Sequence, residues 1–390
     1  MTLRQKMVRE IGECGAIPFS RYMELCLYDP ELGYYARSAE QFGKAGDFYT
    51  SSDVHAVFGR LLARQFHEMW QALGSPPEIE ILELGPGRGL FAQDVLDRSE
   101  KKFPAFFTAV RYSLLETSPA LREKLARTLS RHIGARKAFI LGEELASRQA
   151  TARAEAGEEI NRVLPREKPL IIFANEFFDA LPVEIISLPG QLHIAEKNGA
   201  FVEEWLPPAP AALDFLDHYG LHPEDGERIE VPLIAQKYMA KAAAMIEQGF
   251  LLAIDYGYTR PEQLAGRYRG TLMTFRRHSV GADPYQAPGE QDITAHVNFT
   301  ALAAAAAGPG MGVQPLVTQS QFLLGIGEAN QFADVFEDCQ LLQERAKVAL
   351  QLKHLITPEG MGETFRVLLA GKGADAERVS ALRGLSFGKS

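Results

Sequence analysis

The stretch Ile79-Glu80-Ile81-Leu82-Glu83-Leu84-Gly85-Pro86-Gly87-Arg88-Gly89-Leu90 decides the fold. Its first six residues read as a strand buried on both faces. Three glycines at alternate positions follow, and the apolar pattern Leu90–Leu96 then reads as a helix. Glycines between a strand and a helix let the backbone turn sharply and approach a ligand closely. A lone glycine triplet is weak evidence, but two details sharpen it. The spacing is GxGxG, with Leu90 standing where a dinucleotide fingerprint wants its third glycine. Glu83 lies beside the loop, where a carboxylate repels a pyrophosphate and favours an ammonium or sulfonium group. S-adenosylmethionine carries both cations and no phosphate, so the loop favours that donor over NAD.

Outward from this turn the chain alternates. Ala109–Leu115 reads as a second strand ending in Glu116-Thr117, and Ser118-Pro119 opens a helix bearing Leu121, Leu125 and Leu129. An acid at that strand end can accept both ribose hydroxyls, in this class and in NAD enzymes alike. The other reading of Glu116 is a charge favouring the N-terminus of the next helix. Ala138–Leu141, Leu170–Ala174 and Phe250–Ile254 supply strands three to five. Thr271–Phe275 and Gln314–Thr318 are candidates for the last two, around the Ala-rich helix Phe299–Ala307. This alternation implies a doubly wound α/β fold, a parallel sheet with helices on both faces.

Three regions are expected. Residues 1–75 form an N-terminal helical or lid region. There Val54, Phe58, Leu61, Leu62, Phe66, Met69 and Leu73 recur at helical spacing, behind the capping oxygens of Thr50–Asp53. The aromatic, turn-rich Tyr28–Tyr35 and Gly43–Tyr49 read either as a lid or as a packed loop. Residues 76–330 hold the core. Within it, about 183–245 is an insertion whose alternating pattern around Pro189-Gly190 and Asn198-Gly199 predicts β-hairpins. Residues 143–168 predict an exposed helix, and 331–390 a C-terminal helical segment continuing to near residue 370 before a loose tail.

Composition narrows the function. Net charge is −9, from 41 basic and 50 acidic residues, which argues against broad nucleic-acid binding. No apolar run approaches the ~20 residues that span a bilayer, so no membrane association is expected. Cys14, Cys26 and Cys339 show no metal spacing, and the nine histidines show no HxH pair, so no metal is expected. The start lacks the apolar stretch of a signal peptide and reads as a first helix, which predicts a cytoplasmic protein, monomeric or homodimeric.

The fourth strand ends in Asn175-Glu176-Phe177-Phe178-Asp179-Ala-Leu-Pro182, and that end of a doubly wound sheet faces the ligand crevice. An amide oxygen there can orient a nitrogen nucleophile, and aromatic faces can hold a cation beside a sulfonium. If the acceptor is a guanidinium, which stays charged at neutral pH, Glu176 and Asp179 would hold it as paired carboxylates. The alternatives are that Phe177 and Phe178 are core residues and that Asp179 caps a helix.

Six segments then match one family in order: Tyr28–Tyr35, Gly46–Ser52, Glu83–Gly89, Asn175–Pro182, Ile254–Gly257 and Gly289–Phe299. The chain resembles the MidA-like methyltransferases, which include a mitochondrial complex I assembly factor that methylates an arginine of a partner subunit. The resemblance implies a seven-stranded Rossmann-like methyltransferase core with an N-terminal helical addition and inserted β-hairpins. It implies S-adenosyl-L-methionine contacts at Glu83, Gly85, Pro86, Gly87, Gly89, Glu116, Thr117 and Asn175, with the Gly46–Ser52 loop, Tyr49 and Thr50 included, as a cover. It makes Glu176 and Asp179 the catalytic acids for a protein acceptor, with Phe177, Phe178 and His296 at the substrate face. A lone histidine is more often a satisfied structural residue, and Asp255-Tyr256 after the fifth strand is equally ambiguous between a site role and a strand cap. Between the third strand and residue 168 the chain departs from the family pattern, and Glu143 is only a guess for the adenine contact. Two other readings stay open: a methyltransferase for a small molecule or RNA base, and an assembly factor that binds the donor without turnover.

Overall fold

In the computed structural model, which describes residues 1–37, 56–141, 168–276, 279–281, 283–328 and 330–387, Ile79–Leu84 is a strand (β1) with every residue buried. The other main strands are β2 (Val110–Leu115), β3 (Ala138–Leu141), β4 (Leu170–Asn175), β5 (Gly249–Tyr258), β6 (Gly312–Val313) and β7 (Phe365–Lys372). They lie in the order β3-β2-β1-β4-β5-β7-β6. The first five are mutually parallel, and β7 runs antiparallel to both β5 and β6. Because the chain winds outward from β1 through β2 and β3, then returns to β4 and β5, the order reverses between β1 and β4. A crevice opens at such a reversal, outside the carboxyl ends of the strands.

The alternation along β1 explains its two covers. Ile79 and Ile81 join an apolar cluster with Phe58, Leu62, Phe66, Phe91 and Val95, from the helices Ala56–Ala72 and Leu90–Lys102. Leu82 and Leu84 face the other way, with Tyr238, Met239, Leu302 and Ala306, from the helices Leu233–Ala244 and Phe299–Ala307. Successive strand residues point to opposite faces, so a strand covered on both must be apolar throughout. Glu80 and Glu83 both break that rule, Glu80 taking the Ser113 hydroxyl and Glu83 standing at the ligand end.

Two strand expectations need correction. Thr271–Phe275 does not enter the main sheet: Met273–Arg276 pairs with Asp292–Thr294 in a separate three-stranded sheet. The last main strand is β7, inside the stretch read as helical to near residue 370. Its apolar run Val367–Ala370 is too short for periodicity to separate strand from helix, and it follows a real helix, Leu342–Ile356. Of the other candidate, Val317–Thr318 does pair with β7.

The hairpins after β4 are present as Glu184–Ser187, Gly190–Lys197 and Ala200–Leu206. They are not independent of the N-terminus. Ile17–Pro18 pairs with His193–Ile194, and Met7, Phe19, Tyr22 and Met23 share one core with Ile185, Leu192, Ile194 and Ile293. The helices Leu3–Cys14 and Phe19–Tyr28 and the inserted sheet therefore form a single unit beside the end of β4. Residues 143–167, expected as an exposed helix, lie outside the described residues. No described helix is long and apolar enough to cross a membrane.

Candidate active site

The glycine turn takes the conformation its composition demands. Gly85, Gly87 and Gly89 have φ of 65°, 54° and 77°, the left-handed region that side chains other than glycine rarely occupy. A Cβ on Gly85 would lie 3.0 Å from Cδ2 of Phe177, and one on Gly89 would collide with the Leu125 side chain. Gly87 has open space beside it. The loop is fixed by the Gly85 amide donating to the Leu115 carbonyl at 3.1 Å, and by Gly89 donating to the Pro86 carbonyl at 2.9 Å.

Glu83 stands two residues before Gly85 and is only 5% exposed. The Tyr112 hydroxyl donates to its Oε2 at 2.9 Å. Burial pushes its carboxyl up to about 8, against the Tyr112 hydrogen bond and with added repulsion from Glu116. A buried acid in that state favours a cation as its partner. The residues thus fit a donor that brings an ammonium and a sulfonium and no phosphate. Glu116, at the end of β2, accepts from the Ser118 amide at 2.8 Å, which orients its carboxylate. Thr117 follows it, and its carbonyl accepts from Arg122. Ser118 caps the Pro119–Thr128 helix through its hydroxyl, and the same hydroxyl donates to the Tyr35 carbonyl at 2.8 Å.

Across the crevice, β4 delivers Asn175 and Glu176. Glu176 has φ of 49°, a strained value for a long side chain that persists only where its surroundings over-determine it. The surroundings are visible. The Glu176 amide donates to the Ile254 carbonyl at 3.0 Å, and Asn175 Nδ2 donates to Glu176 Oε1 at 3.1 Å. One oxygen of Asp255 accepts from the amides of Phe177, Phe178 and Asp179, at 3.2, 3.0 and 3.3 Å. The other accepts from the Tyr256 amide. Asp255, ambiguous from sequence, is the peg on which the loop hangs.

Asp179 is 4% exposed and caps no helix. Tyr256 donates its hydroxyl to Asp179 Oδ2 at 2.5 Å. Oδ1 has no hydrogen-bond partner among the described residues. Burial raises the pKa of Asp179, and burial together with the Asp179 and Glu176 charges raises that of Asp255. Phe177 packs against the glycine turn and the Tyr238 ring, at 5.0 Å between centroids. Phe178 is a core residue, 4% exposed in the cluster with Leu181 and Tyr238; its expected place at the substrate face is corrected to packing beneath the loop.

The N-terminal aromatics meet this loop directly. Tyr28 donates to the Ala180 carbonyl at 2.8 Å, and Tyr35 to Asp292 Oδ1 at 3.0 Å. Their rings stack at 5.3 Å. Tyr28–Tyr35 is therefore the packed alternative rather than a lid. The Gly46–Ser52 cover, with Tyr49 and Thr50, lies outside the described residues, as does Glu143. His296 sits edge-on to Tyr256, 5.1 Å between centroids, and beside Tyr268 at 5.6 Å. Burial lowers its pKa to about 4, so it is neutral at physiological pH. No group of three or more potential metal ligands occurs among the described residues.

Sequence reasoning left Asp255 and Tyr256 undecided and did not connect Tyr28, Tyr35 and Asp292 to the site. The only signal for the last three was their place in matched segments.

Comparison with known proteins identifies the family of the chain. Residues 61–317 match the family described as "Putative S-adenosyl-L-methionine-dependent methyltransferase". The chain is 28% identical over 390 residues to the mitochondrial protein arginine methyltransferase NDUFAF7 of Danio rerio, covering 94% of this chain and 86% of that one. It is 29% identical over 314 residues to the Drosophila melanogaster homolog, covering 76% and 68%. A crystal structure from Burkholderia thailandensis, bound to S-adenosyl-homocysteine, superimposes with a TM-score of 0.80 at 28% identity, covering 98% and 94%.

Proposed function

Since the chain belongs to this family of S-adenosyl-L-methionine-dependent methyltransferases, we propose that it methylates a guanidinium nitrogen of an arginine in a partner protein. The observation that carries the reading is the pair of acids after β4. Glu176 is held in a strained backbone conformation, and Asp179 keeps one buried oxygen without a hydrogen-bond partner among the described residues. A guanidinium is a planar cation whose several N–H groups match two carboxylates. The relatives named as protein arginine methyltransferases point the same way.

The donor supplies an electrophilic methyl group on a cationic sulfur. Gly85, Pro86, Gly87 and Gly89 would cradle it, Glu83 would face its positive charge, and Glu116 with Thr117 would take the ribose. Asn175 would bridge donor and acceptor sides. Glu176 and Asp179 hold the guanidinium so that one nitrogen faces the methyl carbon, and Phe177 forms the wall between acceptor and glycine turn. Position and exclusion of water supply most of the acceleration in such a transfer. The cytoplasmic location and the protein acceptor belong to this same proposal.

Incubating the protein with methyl-labelled donor and a lysate, then locating the label by mass spectrometry, tests it. Label on arginine that falls about 100-fold with Glu176→Gln supports the proposal, in the range expected for loss of a positioning carboxylate. Label confined to small metabolites or RNA, or a Glu176→Gln protein as active as the unaltered one, defeats it.

A further inference from the structure

Among the buried polar atoms without a hydrogen-bond partner in the described residues are Asp179 Oδ1, Thr294 Oγ1 and His296 Nδ1. Leaving such an atom unpaired costs about 1–3 kcal/mol, and a native structure that keeps one calls for an explanation. One ring connects Asp179 and His296. Tyr256 donates its hydroxyl to Asp179, and its ring lies nearly perpendicular to the imidazole of His296, 5.1 Å between centroids.

The position of His296 is fixed from behind. Its backbone amide donates to Thr271 Oγ1 at 3.1 Å. The Thr271 amide and hydroxyl both donate to the buried Glu230, at 2.9 and 3.1 Å. Tyr268 flanks the ring on a second side. Burial holds the Tyr256 hydroxyl well above its usual range, so this ring brings no charge to the imidazole.

The arginine reading, on which this inference rests, creates a need that Glu176 and Asp179 do not meet. As a guanidinium nitrogen forms its bond to the methyl carbon, the carbon–sulfur bond breaks and its electron pair stays on sulfur, which becomes neutral. The guanidinium then carries a second positive charge until one N–H proton leaves. Asp179 already accepts from Tyr256 and offers its remaining oxygen to the cation as a counter-charge. We propose that His296 is the base that takes this proton, with Tyr256, Thr271 and Glu230 as the residues that position its ring. The proton passes to the imidazole, and the imidazolium returns it to solvent after product leaves. Burial, which keeps the resting imidazole neutral, leaves a lone pair available and avoids repelling the incoming cation.

The test combines a binding readout with a kinetic one, both on the full chain. In nitrogen NMR of the imidazole, assigned by comparison with His296→Gln, adding methylguanidinium chloride should shift the His296 signal with saturation. Asp179→Asn should weaken that response about tenfold. With an arginine acceptor, His296→Gln should slow single-turnover labelling about 100-fold and leave S-adenosyl-homocysteine affinity unchanged within twofold. Added imidazole should restore part of the rate in His296→Ala. A His296 signal unmoved by saturating methylguanidinium, or a His296→Gln rate within threefold of the unaltered protein, overturns the inference alone. An unaltered protein that labels no arginine overturns the arginine reading and this inference with it.

Discussion

Glu83 and Asp255 are both buried carboxylates at the carboxyl edge of one sheet, and they differ in what satisfies them. Burial raises the pKa of both, but Asp255 accepts from four backbone amides and so holds the Phe177–Asp179 turn. Glu83 receives one tyrosine hydroxyl, and its pKa stands raised to about 8. Burial alone does not separate a structural acid from a ligand-facing one. The supply of hydrogen bonds from the protein itself does. An acid fully served by its own backbone shapes the site, whereas an under-served acid awaits a cation.

Substitutions on the two sides should break differently. The largest effect is expected at the peg. Asp255→Ala strands several buried amides, so urea unfolding should show a loss of about 3 kcal/mol, with turnover abolished. On the glycine side, Gly85→Val imposes an unfavourable φ and meets Phe177, and calorimetry should show donor affinity falling about 100-fold, or ~3 kcal/mol. Stability should change far less than in Asp255→Ala. Equal donor binding by both proteins would remove the loop from the donor site.

Glu83→Gln should reduce donor affinity about tenfold, or ~1.4 kcal/mol. The sign with pH follows from the raised pKa. A cation binds the ionised carboxylate, so affinity in the unaltered protein should strengthen as pH rises from 6 toward 8 and then level off; the Gln variant should lose that slope. The smallest effect is expected at Ser118→Ala, which removes a helix cap and the link to Tyr35. It should cost about 1 kcal/mol of stability, measured by the same unfolding assay, and leave the pH slope intact.

The same contrast explains what the sequence made legible. The β1 side is local: a buried strand, three glycines in left-handed conformations and a helix follow one another, and Glu116 and Asn175 sit at strand ends for the same reason. The acceptor side is assembled from distant segments. Asp179 meets Tyr256 and Asp255 across the pairing of β4 with β5, and Tyr35 reaches Asp292. Nothing in the spacing of those residues announces their meeting, because β pairing is non-local. Phe178 read as a substrate aromatic because only packing distinguishes it from Phe177. Likewise β7 was hidden in a helical neighbourhood, and the union of the N-terminal helices with the inserted sheet depends on Ile17 pairing with Ile194.

The central claim is that Glu83 is the counter-charge for a cationic, phosphate-free donor. Calorimetry of S-adenosylmethionine binding at pH 7, repeated in buffers of different ionisation enthalpy, counts the protons released. With Glu83 raised to about 8 in the free protein, close to one proton should leave on binding to the unaltered protein and none on binding to Glu83→Gln. Release of no proton by the unaltered protein, or tighter binding of NAD than of S-adenosylmethionine, would contradict the account.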